Sequence, residues 1–419
     1  MMKKFDFVVV GELCVDYLEG NENRRPGGAF YSAHAGRKMN ASTAILGFTG
    51  NNDLSFFSSH MSDFDISQEY IQTVPGKSTC YRLKFVDEVL PQACSVERNE
   101  SPRKKHDLLP KTDVALFYPC HYFSDYASQL HSRLNGLDVQ YDIDSILSLP
   151  SLSMFNIVFI SSSDICNAVN LPLTEVVDIL FKKGAQVVVT KFGQGGSSVY
   201  QKDNDRIDIP AYISDYRYTI GAGDVFNTVF LLEYFRFNNI EQAGHHASMA
   251  VADFIESFTL TSAQWDFSNI ASQRYHQFLH PETINSISIY LAGPFFSQGE
   301  LTTVNYLYQS LTKCGFNVFS PWHNDGVIDN IKGPESLRVF DNNISAIKSS
   351  DIIIAILDYE DPGTIWECGY GYAHNKTIYA LNTTNRPLNL MTICGVKLIT
   401  PSIRGLIDYL YLELSENNP

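Results

Sequence analysis

The chain of 419 residues has few of the features that mark secreted, membrane or nucleic-acid-binding proteins. Its eight cysteines form no Cys-x-x-Cys pair, which argues against a zinc site or a thiol redox motif and favours a cytoplasmic protein with reduced thiols. No uninterrupted apolar run is long enough to span a bilayer. The net charge of −15 argues against nucleic acid as a partner, since binding it usually requires a basic face.

What the sequence does contain is two apolar strands that each precede a glycine. The first is Phe5–Val10, which Asp6 interrupts, so it is typical of a first strand and not of a signal peptide. The second is Ile287–Ala292. A polar, aperiodic stretch before the second strand indicates a boundary. We therefore predict three segments of the chain: a domain at 1–270, a linker at 271–285 and a domain at 286–419.

The second domain alternates strands and helices with short connections. Apolar strands are predicted around Leu291 and at Asp351–Leu357, with amphipathic helices between and after them. The stripe Leu337, Phe340, Ile344 and Ile347 predicts one of these helices. Such alternation is typical of a doubly wound α/β fold with a mostly parallel sheet. Ligands of these sheets bind beyond the carboxyl ends of the strands, so the loops after Leu291 and Leu357 are the expected site.

Two carboxylates, Asp361 and Glu367, flank the predicted start of a helix in the second loop. The helix dipole and the free amides at this end favour an ionised, nucleophilic carboxylate. Cleavage of an N-glycosidic bond needs such a group, because it stabilises an oxocarbenium-like transition state and forms a glycosyl–enzyme intermediate. The alternative is structural, since Thr364-x-x-Glu367 is also a capping-box pattern.

Nearly all of residues 286–415 resembles the nucleoside 2-deoxyribosyltransferase family. The matching pieces are Ile289–Phe296, the helix before Asp351, Asp361–Tyr370 and Arg386–Met391. The resemblance implies Glu367 as the nucleophile on C1′, Asp361 as a ligand of the sugar or base, and Tyr290 as the group that orients the glutamate. It also implies no cofactor and a homo-oligomer, in which Asn389 and Met391 reach a neighbouring subunit's site. The further substrate-binding residues expected in this domain are Gly293, Asn343 and Gly363.

One position departs from that family. An aspartate that handles the proton of the departing base is replaced by Asn343, and Asp341 would point elsewhere on the helix. Asparagine cannot donate as an acid, and a positioned proton-transfer group contributes about 10²–10⁴-fold in rate. The departure leaves two reactions open, transfer of the sugar to another base and hydrolysis by water.

The first domain carries its own glycine motif, Tyr218-Thr-Ile-Gly-Ala-Gly-Asp224, before an apolar helix. Its two glycines allow close approach of the backbone, and amides at a helix start can hold a phosphate. Asp224 is placed to take a proton from a sugar hydroxyl. A Gly-Ala-Gly turn before a helix is otherwise an ordinary feature, and both interpretations remain open.

The context of this motif, about residues 5–257, resembles the PfkB (ribokinase-like) carbohydrate and nucleoside kinases. The resemblance implies a three-layer ribokinase-like α/β fold, with ATP and Mg²⁺ as cofactors and Asp224 as the catalytic base. The residues that it assigns to substrate binding are Asp16, Gly27 and Gly28, and those that it assigns to the nucleotide are Thr190, Gly193, Gly221, Ala222 and Gly223.

Two departures weaken a kinase function. Tyr218 replaces an aspartate beside a monovalent cation, and Ser161–Asp164 stands where the family has Asn-x-x-Glu for magnesium and phosphate. Phosphoryl transfer relies on positioning and charge neutralisation. We expect no protein metal site elsewhere either, because the adjacent His245 and His246 point about 100° apart on a helix and lack partners at ligand spacing.

Three functions remain open at this point. The first is a salvage enzyme that cleaves or transfers the N-glycosidic bond of a small nucleoside or nucleotide, joined to a kinase-like domain that phosphorylates or binds a sugar, nucleoside or nucleotide. The second is a regulated effector that degrades nucleotides or NAD, for example in antiviral defence, with the kinase-like domain as a ligand sensor. The third is a binding protein without catalysis, which the pairing of Asp361 and Glu367 argues against.

Overall fold

The structure is a computed structural model that describes residues 3–18, 24–86, 90–140, 142–162, 171–202, 204–214, 219–257, 260–326, 333–359 and 361–417. Within it the chain divides into two compact units. Unit 1 comprises residues 1–84 and 91–278, and unit 2 comprises residues 85–90 and 279–419.

Unit 1 is an α/β unit that contains both strands and helices. The strands are β1 (Lys4–Val10), β2 (Val15–Leu18), β3 (Arg24–Pro26), β4 (Thr43–Gly50), β5 (Ile71–Val74), β6 (Cys80–Val86), β7 (Leu90–Glu97), β8 (Lys111–Phe117), β9 (Leu134–Asp138), β10 (Ile157–Ser161), β11 (Val187–Lys191), β12 (Ser197–Gln201), β13 (Ile207–Ile209), β14 (Ala211–Tyr212) and β15 (His276–Gln277). The helices are α1 (Gly28–Lys38), α2 (Leu54–Asp63), α3 (Phe123–Gln129), α4 (Ile143–Ser148), α5 (Leu173–Lys182), α6 (Ala222–Phe237), α7 (Ile240–Phe254) and α8 (Phe267–Gln273).

A large sheet forms the middle layer of unit 1. Its described strands follow the order β13-β12-β11-β10-β9-β8-β1-β4-β5, and they pair in parallel except at β12 and β13. Val8 and Val10 of β1 belong to one core cluster, while Phe7 and Val9 on the opposite face are also fully buried. Burial on both faces explains the continuous valine run, as expected for a parallel sheet covered by helices on both sides. A smaller sheet has the order β3-β2-β6-β7.

Unit 2 is a second, smaller parallel sheet with helices around it. Its strands are β16 (Ser288–Ala292), β17 (Asn317–Phe319), β18 (Ile352–Ile356), β19 (Thr377–Leu381) and β20 (Leu398–Thr400), in the order β17-β16-β18-β19-β20. Its described helices are α9 (Pro281–Ser286), α10 (Gln298–Lys313), α11 (Pro321–Asn324), α12 (Pro334–Ser349), α13 (Pro362–Ala373), α14 (Leu390–Gly395) and α15 (Ile403–Asn417).

The isoleucine run of β18 shows why this sheet needs two covering layers. Ile352, Ile354 and Ile356 pack into one cluster with α10 and α15, and Ile353 and Ala355 pack into another with α12 and α13. Alternate residues of a strand point to opposite faces, so all five side chains are buried. The α/β fold class predicted for both units is confirmed.

The structure also shows local features that the sequence did not predict. In the stripe predicted for α12, Ile347 is buried, but Leu337 and Phe340 are 69% and 50% exposed. The segment predicted as a linker contains β15 and α9, and the two units divide between Phe278 and Leu279. In the described part of the chain, no helix has both the length and the apolar character needed to cross a membrane.

Candidate active sites

The site in unit 2 is built on β16 and on α13, the helix that follows β18. Strands β16 and β18 are parallel neighbours, with Tyr290 opposite Ile353. Helix α13 packs closely on this sheet, because a Cβ atom added to Gly371 would lie 2.2 Å from Cδ1 of Ile353. Glu367 lies about one turn before Gly371, so its side chain is held near β16.

The structure brings together Tyr290 and Glu367, two of the residues expected at this site. The Tyr290 hydroxyl donates a hydrogen bond of 2.7 Å to Oε1 of Glu367. Tyr290 is fully buried, and its ring stacks on Phe319 with centroids 5.7 Å apart and planes inclined by 14°. Packing therefore fixes the hydroxyl, and the hydroxyl in turn fixes one oxygen of the half-buried glutamate.

The electrostatics of Glu367 differ from the expectation of a carboxylate kept ionised by a helix start. Burial raises its pKa to about 7, the bond from Tyr290 opposes that rise, and the charge of Asp361 adds to it. Glu367 lies in the second turn of α13, where the dipole effect has largely faded. Near neutral pH the glutamate is thus poised between its two protonation states.

Asp361, and not Thr364, caps helix α13. Oδ2 of Asp361 accepts hydrogen bonds from the Thr364 amide at 2.7 Å and from the Thr364 hydroxyl at 3.0 Å. The alternative capping box from Thr364 to Glu367 is therefore wrong, which removes the structural explanation for Glu367. Gly363 lies beside this cap, since a Cβ there would be 3.0 Å from Oδ2 of Asp361.

The other residues predicted for this site differ in burial and in hydrogen bonding. Gly293 packs against Ile356 and Val304, and half-buried Asn343 has an Oδ1 atom without a hydrogen-bond partner among the described residues. Asn389 is the N-cap of α14 and accepts a bond of 2.9 Å from the Met391 amide. The Met391 side chain is 80% exposed.

Asp325, directly after α11, was missed by the sequence analysis. Its side chain is 8% exposed, Oδ1 lies 3.5 Å from the guanidinium of Arg338, and buried Oδ2 has no partner within the described ranges. Its charge is one of the causes, after burial and Glu367, that raise the pKa of Tyr290. Asp325 lies in the connection that follows strand β17. Because ligands of such sheets bind beyond the carboxyl ends of the strands, this connection could also have been expected to contribute to the site.

In unit 1 the predicted substrate-side residues meet at the start of α6. Asp224 is buried there, and the Tyr118 hydroxyl donates a bond of 2.6 Å to its Oδ1. Burial and the charge of Asp138 raise the pKa of Asp224 to about 7. Asp16 is also buried, and its pKa is raised well above the usual value by burial and by Asp224. A Cβ atom on Gly28 would lie 2.7 Å from Oδ1 of Asp224, so only glycine fits.

The residues predicted for the anion site lie at a tight turn and at the start of helix α6. Gly221 is the N-cap of α6 with φ of +87°, and a Cβ there would strike the ring of Tyr31 at 2.7 Å. Ala222 and Gly223 form the first turn of the helix. Gly27 caps α1. Gly193 has φ of +58° with open space around it. Thr190 does not contribute a free hydroxyl, because it is fully buried and its hydroxyl donates to the Ser198 carbonyl at 3.2 Å.

Lys191 is the second residue that sequence reasoning missed. Its Nζ atom lies 3.6 Å from Oδ1 of Asp138 and donates to Oδ1 of Asn227 at 3.0 Å. The described residues do not fit a divalent cation at this place, since an ammonium group already occupies the neighbourhood of Asp138. No group of three metal-ligating side chains occurs in the described part of the chain. Tyr218 and the Ser163–Asp164 end of the altered motif lie outside the described residues.

Unit 1 is an α/β unit built on a large, mostly parallel sheet, and unit 2 is a smaller parallel α/β unit that carries the Tyr290–Glu367 pair. Residues 289–403 match the family model described as nucleoside 2-deoxyribosyltransferase, and residues 137–258 match the pfkB family carbohydrate kinase model. The fusion of two such domains, predicted from the sequence, is confirmed.

Curated relatives match each part separately. A 5-dehydro-2-deoxygluconokinase of Listeria innocua is 22% identical over 305 residues, which cover 62% of this chain and 93% of that protein. A Thermofilum pendens protein named "Putative 2'-deoxynucleoside 5'-phosphate N-hydrolase 1" is 29% identical over 101 residues, which cover 24% of this chain and 71% of that protein.

Solved structures of ribokinase-family proteins show that unit 1 has the ribokinase fold. The aminoimidazole riboside kinase of Salmonella enterica matches 64% of this chain and 99% of its own, with a TM-score of 0.52 and 16% identity. The adenosine kinase of Sinorhizobium meliloti matches the same shares with a TM-score of 0.52 and 14% identity.

Proposed function

We propose that unit 2 cleaves the N-glycosidic bond of a small nucleoside or nucleotide, with Glu367 as the nucleophile. The observation that carries this proposal is the 2.7 Å bond from the buried Tyr290 hydroxyl to Glu367. A half-buried carboxylate that is oriented by one donor and has no cationic partner among the described residues is typical of a reactive group and not of a structural one.

The reaction proceeds in two displacements. An Oε atom of ionised Glu367 attacks C1′ of the sugar, and the C1′–N bond breaks with its electron pair leaving on the base, which takes up a proton. Water or a second base then attacks C1′, breaks the ester and restores the carboxylate. Water gives hydrolysis and a second base gives transfer, and the proton of the incoming group is released.

Acidic neighbours of the pair bind the substrate. Asp361 uses Oδ2 as the helix cap, which leaves Oδ1 for a sugar hydroxyl or the base. Oδ2 of Asp325 is a buried acceptor without a partner in the described residues, and such a group is expected to gain one when a ligand binds. Asn343 presents an unpartnered amide oxygen and supplies no acid. The similarity of this unit to the Thermofilum pendens protein named as an N-hydrolase supports hydrolysis as the outcome.

Unit 1 is proposed to bind the sugar or phosphate end of a sugar, nucleoside or nucleotide. Asp16, Gly27 and Gly28 form the sugar side and Asp224 is the base that accepts a hydroxyl proton, while the amides at Gly221–Gly223 face the phosphate. The raised pKa of Asp224, about 7, suits a general base at neutral pH. If unit 1 is an active kinase, it phosphorylates the hydroxyl of the bound ligand from which Asp224 accepts the proton.

The second candidate is a regulated effector that degrades nucleotides or NAD. The ion pair of Lys191 with Asp138 beside Asp224 favours it, because the described residues at this place do not fit the divalent cation on which phosphoryl transfer relies, and ligand sensing needs no such ion. If the protein is a regulated effector, a ligand of unit 1 changes the rate of base release by unit 2. If it is a salvage enzyme, the rate of base release does not depend on that ligand.

Base release is the direct test. The full chain is incubated separately with nucleosides, deoxynucleoside monophosphates and NAD, and free base is measured by chromatography, with and without an acceptor base and ATP. We expect release from one substrate class by the wild type and at least a 10³-fold loss in Glu367→Ala. The matched control is Glu416→Gln, an exposed glutamate of α15. Release that persists unchanged in Glu367→Ala would reject the site.

A further inference from the structure

We propose that Lys191 supplies the positive charge of the phosphate site in unit 1, so that this site binds the phosphate chain of a nucleotide without a divalent cation. The inference rests on the proposed role of unit 1 as a nucleotide-binding unit. It goes beyond that role because it assigns the charge that neutralises the ligand to a side chain of the protein.

The position of Lys191 follows from the sheet. It is the last residue of β11, and Asp138 is the last residue of β9, on the other side of β10. All three strands are parallel, so both side chains emerge at the carboxyl edge, where ligands of such sheets bind. The side chain of Lys191 is only 15% exposed, so its ammonium group is held at this edge and does not extend into solvent.

The ammonium group lies at the phosphate end of the site. A Cβ atom built on Gly223 would lie 3.3 Å from Nζ of Lys191. Gly223 is in the first turn of α6, whose amides lack partners within the helix and can bind an anion. A fixed lysine beside free amides is an established way for proteins to hold a phosphate, in which lysine acts as a point charge.

Two buried side-chain donors near the start of α6 have no hydrogen-bond partner among the described residues. Asn227 is fully buried, and while its Oδ1 accepts from Lys191, its Nδ2 has no partner among the described residues. The hydroxyl of Thr219, just before Gly221, is also buried and unpartnered in the described ranges. Buried donors without partners are rare, and a ligand that brings acceptor oxygens would satisfy them.

Electrostatics explain why the lysine would replace a cation and not assist one. A divalent ion at Asp138 would stand a few ångströms from the ammonium group, and like charges at that range repel strongly in a partly buried site. Without an ion, Lys191 offsets both the carboxylate of Asp138 and the phosphate charge. The same ammonium group lowers the pKa of Asp224, which burial and Asp138 raise.

Binding of ATP to the full chain tests the inference. Isothermal titration calorimetry is run in excess EDTA and again with Mg²⁺. We expect the wild type to bind with dissociation constants that agree within about threefold, and Lys191→Gln to weaken binding at least about tenfold in EDTA. Lys191→Arg, which keeps the charge, should recover most of the affinity. Lys182→Gln, an exposed lysine of α5, should bind like the wild type.

Several results would overturn the inference: binding that requires Mg²⁺, unchanged affinity in Lys191→Gln, or no binding of ATP in either condition. The comparison of EDTA with Mg²⁺ uses the wild type, so it remains decisive even where a variant unfolds. Base release by unit 2 is measured on the same preparations. Absence of base release would reject the proposed glycosidic reaction. Absence of ATP binding in both conditions would reject the nucleotide-binding role proposed for unit 1, whereas ATP binding that Lys191→Gln leaves unchanged would reject only the role given to Lys191.

Discussion

Among single residues, Glu367 is subject to two opposing effects on its charge. Burial disfavours the charged form of Glu367, and the hydroxyl of Tyr290 favours it. A strong cationic partner would keep the glutamate ionised but would also reduce its nucleophilicity. The structure instead offers one neutral donor, which leaves the pKa near neutral pH.

Replacing Tyr290 with phenylalanine should therefore change the pH profile and not only the rate. The nucleophile must be ionised, so kcat/KM of the wild type should rise with pH through about 7. Loss of the hydrogen bond in Tyr290→Phe removes an effect that lowers the pKa of Glu367, so the midpoint should move to higher pH. Base release measured from pH 5.5 to 9 checks the shift.

The control for this variant is Tyr306→Phe, since Tyr306 is 50% exposed on α10. Its profile should match that of the wild type. A Tyr290→Phe midpoint that stays in place, or moves to lower pH, would show that the hydroxyl does not stabilise the charged glutamate.

The same pKa makes a prediction about stability. The folded-state pKa of Glu367, about 7, exceeds the ordinary value of 4.5, so the unfolded chain loses this proton first and stability falls as pH rises through that window. Glu367→Gln removes the effect. The Tm of this variant should exceed that of the wild type by roughly 2–4 °C at pH 8. This is the shift expected when the free energy of unfolding of a unit the size of unit 2 rises by about 1 kcal/mol.

The difference in Tm should shrink as pH falls through this window and disappear well below pH 4.5, where the wild-type glutamate is protonated in both the folded and the unfolded state. Differential scanning fluorimetry across this pH range measures it, with Glu416→Gln for comparison. A lower Tm for Glu367→Gln at pH 8 would indicate that the glutamate has a structural role and would argue against the proposed chemistry.

At the scale of elements, the position of Glu367 is set by the contact between α13 and β18. Gly371 permits this contact, because a Cβ there would meet the fully buried Ile353 at 2.2 Å. Gly369 in the same helix is exposed and has nothing within 4 Å of a Cβ. Substitution of Gly371 therefore tests the close packing of the helix on the sheet, whereas substitution of Gly369 tests helix propensity alone.

Gly371→Ala should lower the free energy of unfolding by about 1–3 kcal/mol, because the added methyl group forces the helix or Ile353 to shift. Base release should fall as well, since the shift moves Glu367 away from Tyr290. Gly369→Ala should be neutral or stabilise by up to about 1 kcal/mol. Urea unfolding and base release measured on both variants check this, and equal effects of the two substitutions would contradict the close packing.

The sequence predicted elements better than it predicted side-chain environments. Runs such as Ile352–Ile356 are apolar on both faces, so the strands and the fold class could be read directly. The sequence could not decide whether Thr364 or Asp361 caps helix α13, because either side chain can accept a hydrogen bond from amides at the start of the helix. Asp325 and Lys191 were missed because their roles arise from burial and from neighbours distant in the chain, such as Arg338 and Asp138.

At the scale of the whole molecule, unit 2 exposes apolar side chains on three of its helices. Contacts join α12 to α13 and α13 to α14. The exposed apolar side chains on these helices include Leu337, Phe340, Trp366, Leu390, Met391 and Ile393, each 46–80% exposed. Large exposed apolar patches mark interaction surfaces, which supports the proposal that the protein is a homo-oligomer.

Met391→Lys should therefore weaken self-association and reduce base release together. A charged side chain at the centre of an apolar interface leaves an unpaired charge in the assembled state. Size-exclusion chromatography with light scattering measures the oligomer, and chromatography measures the base. Leu108→Lys, at a 67% exposed position of unit 1, is the control. A monomeric wild type with full activity would contradict the proposal.

The most direct measurement of the central claim is the mass of the enzyme during turnover. The full chain is mixed with a substrate analogue whose 2′-fluorine slows release of the sugar, then quenched, digested and mapped by mass spectrometry. The account predicts one added glycosyl group, on the peptide that contains Glu367, and none in Glu367→Gln. A wild-type enzyme that releases base while forming no adduct, or an adduct on another residue, would contradict it.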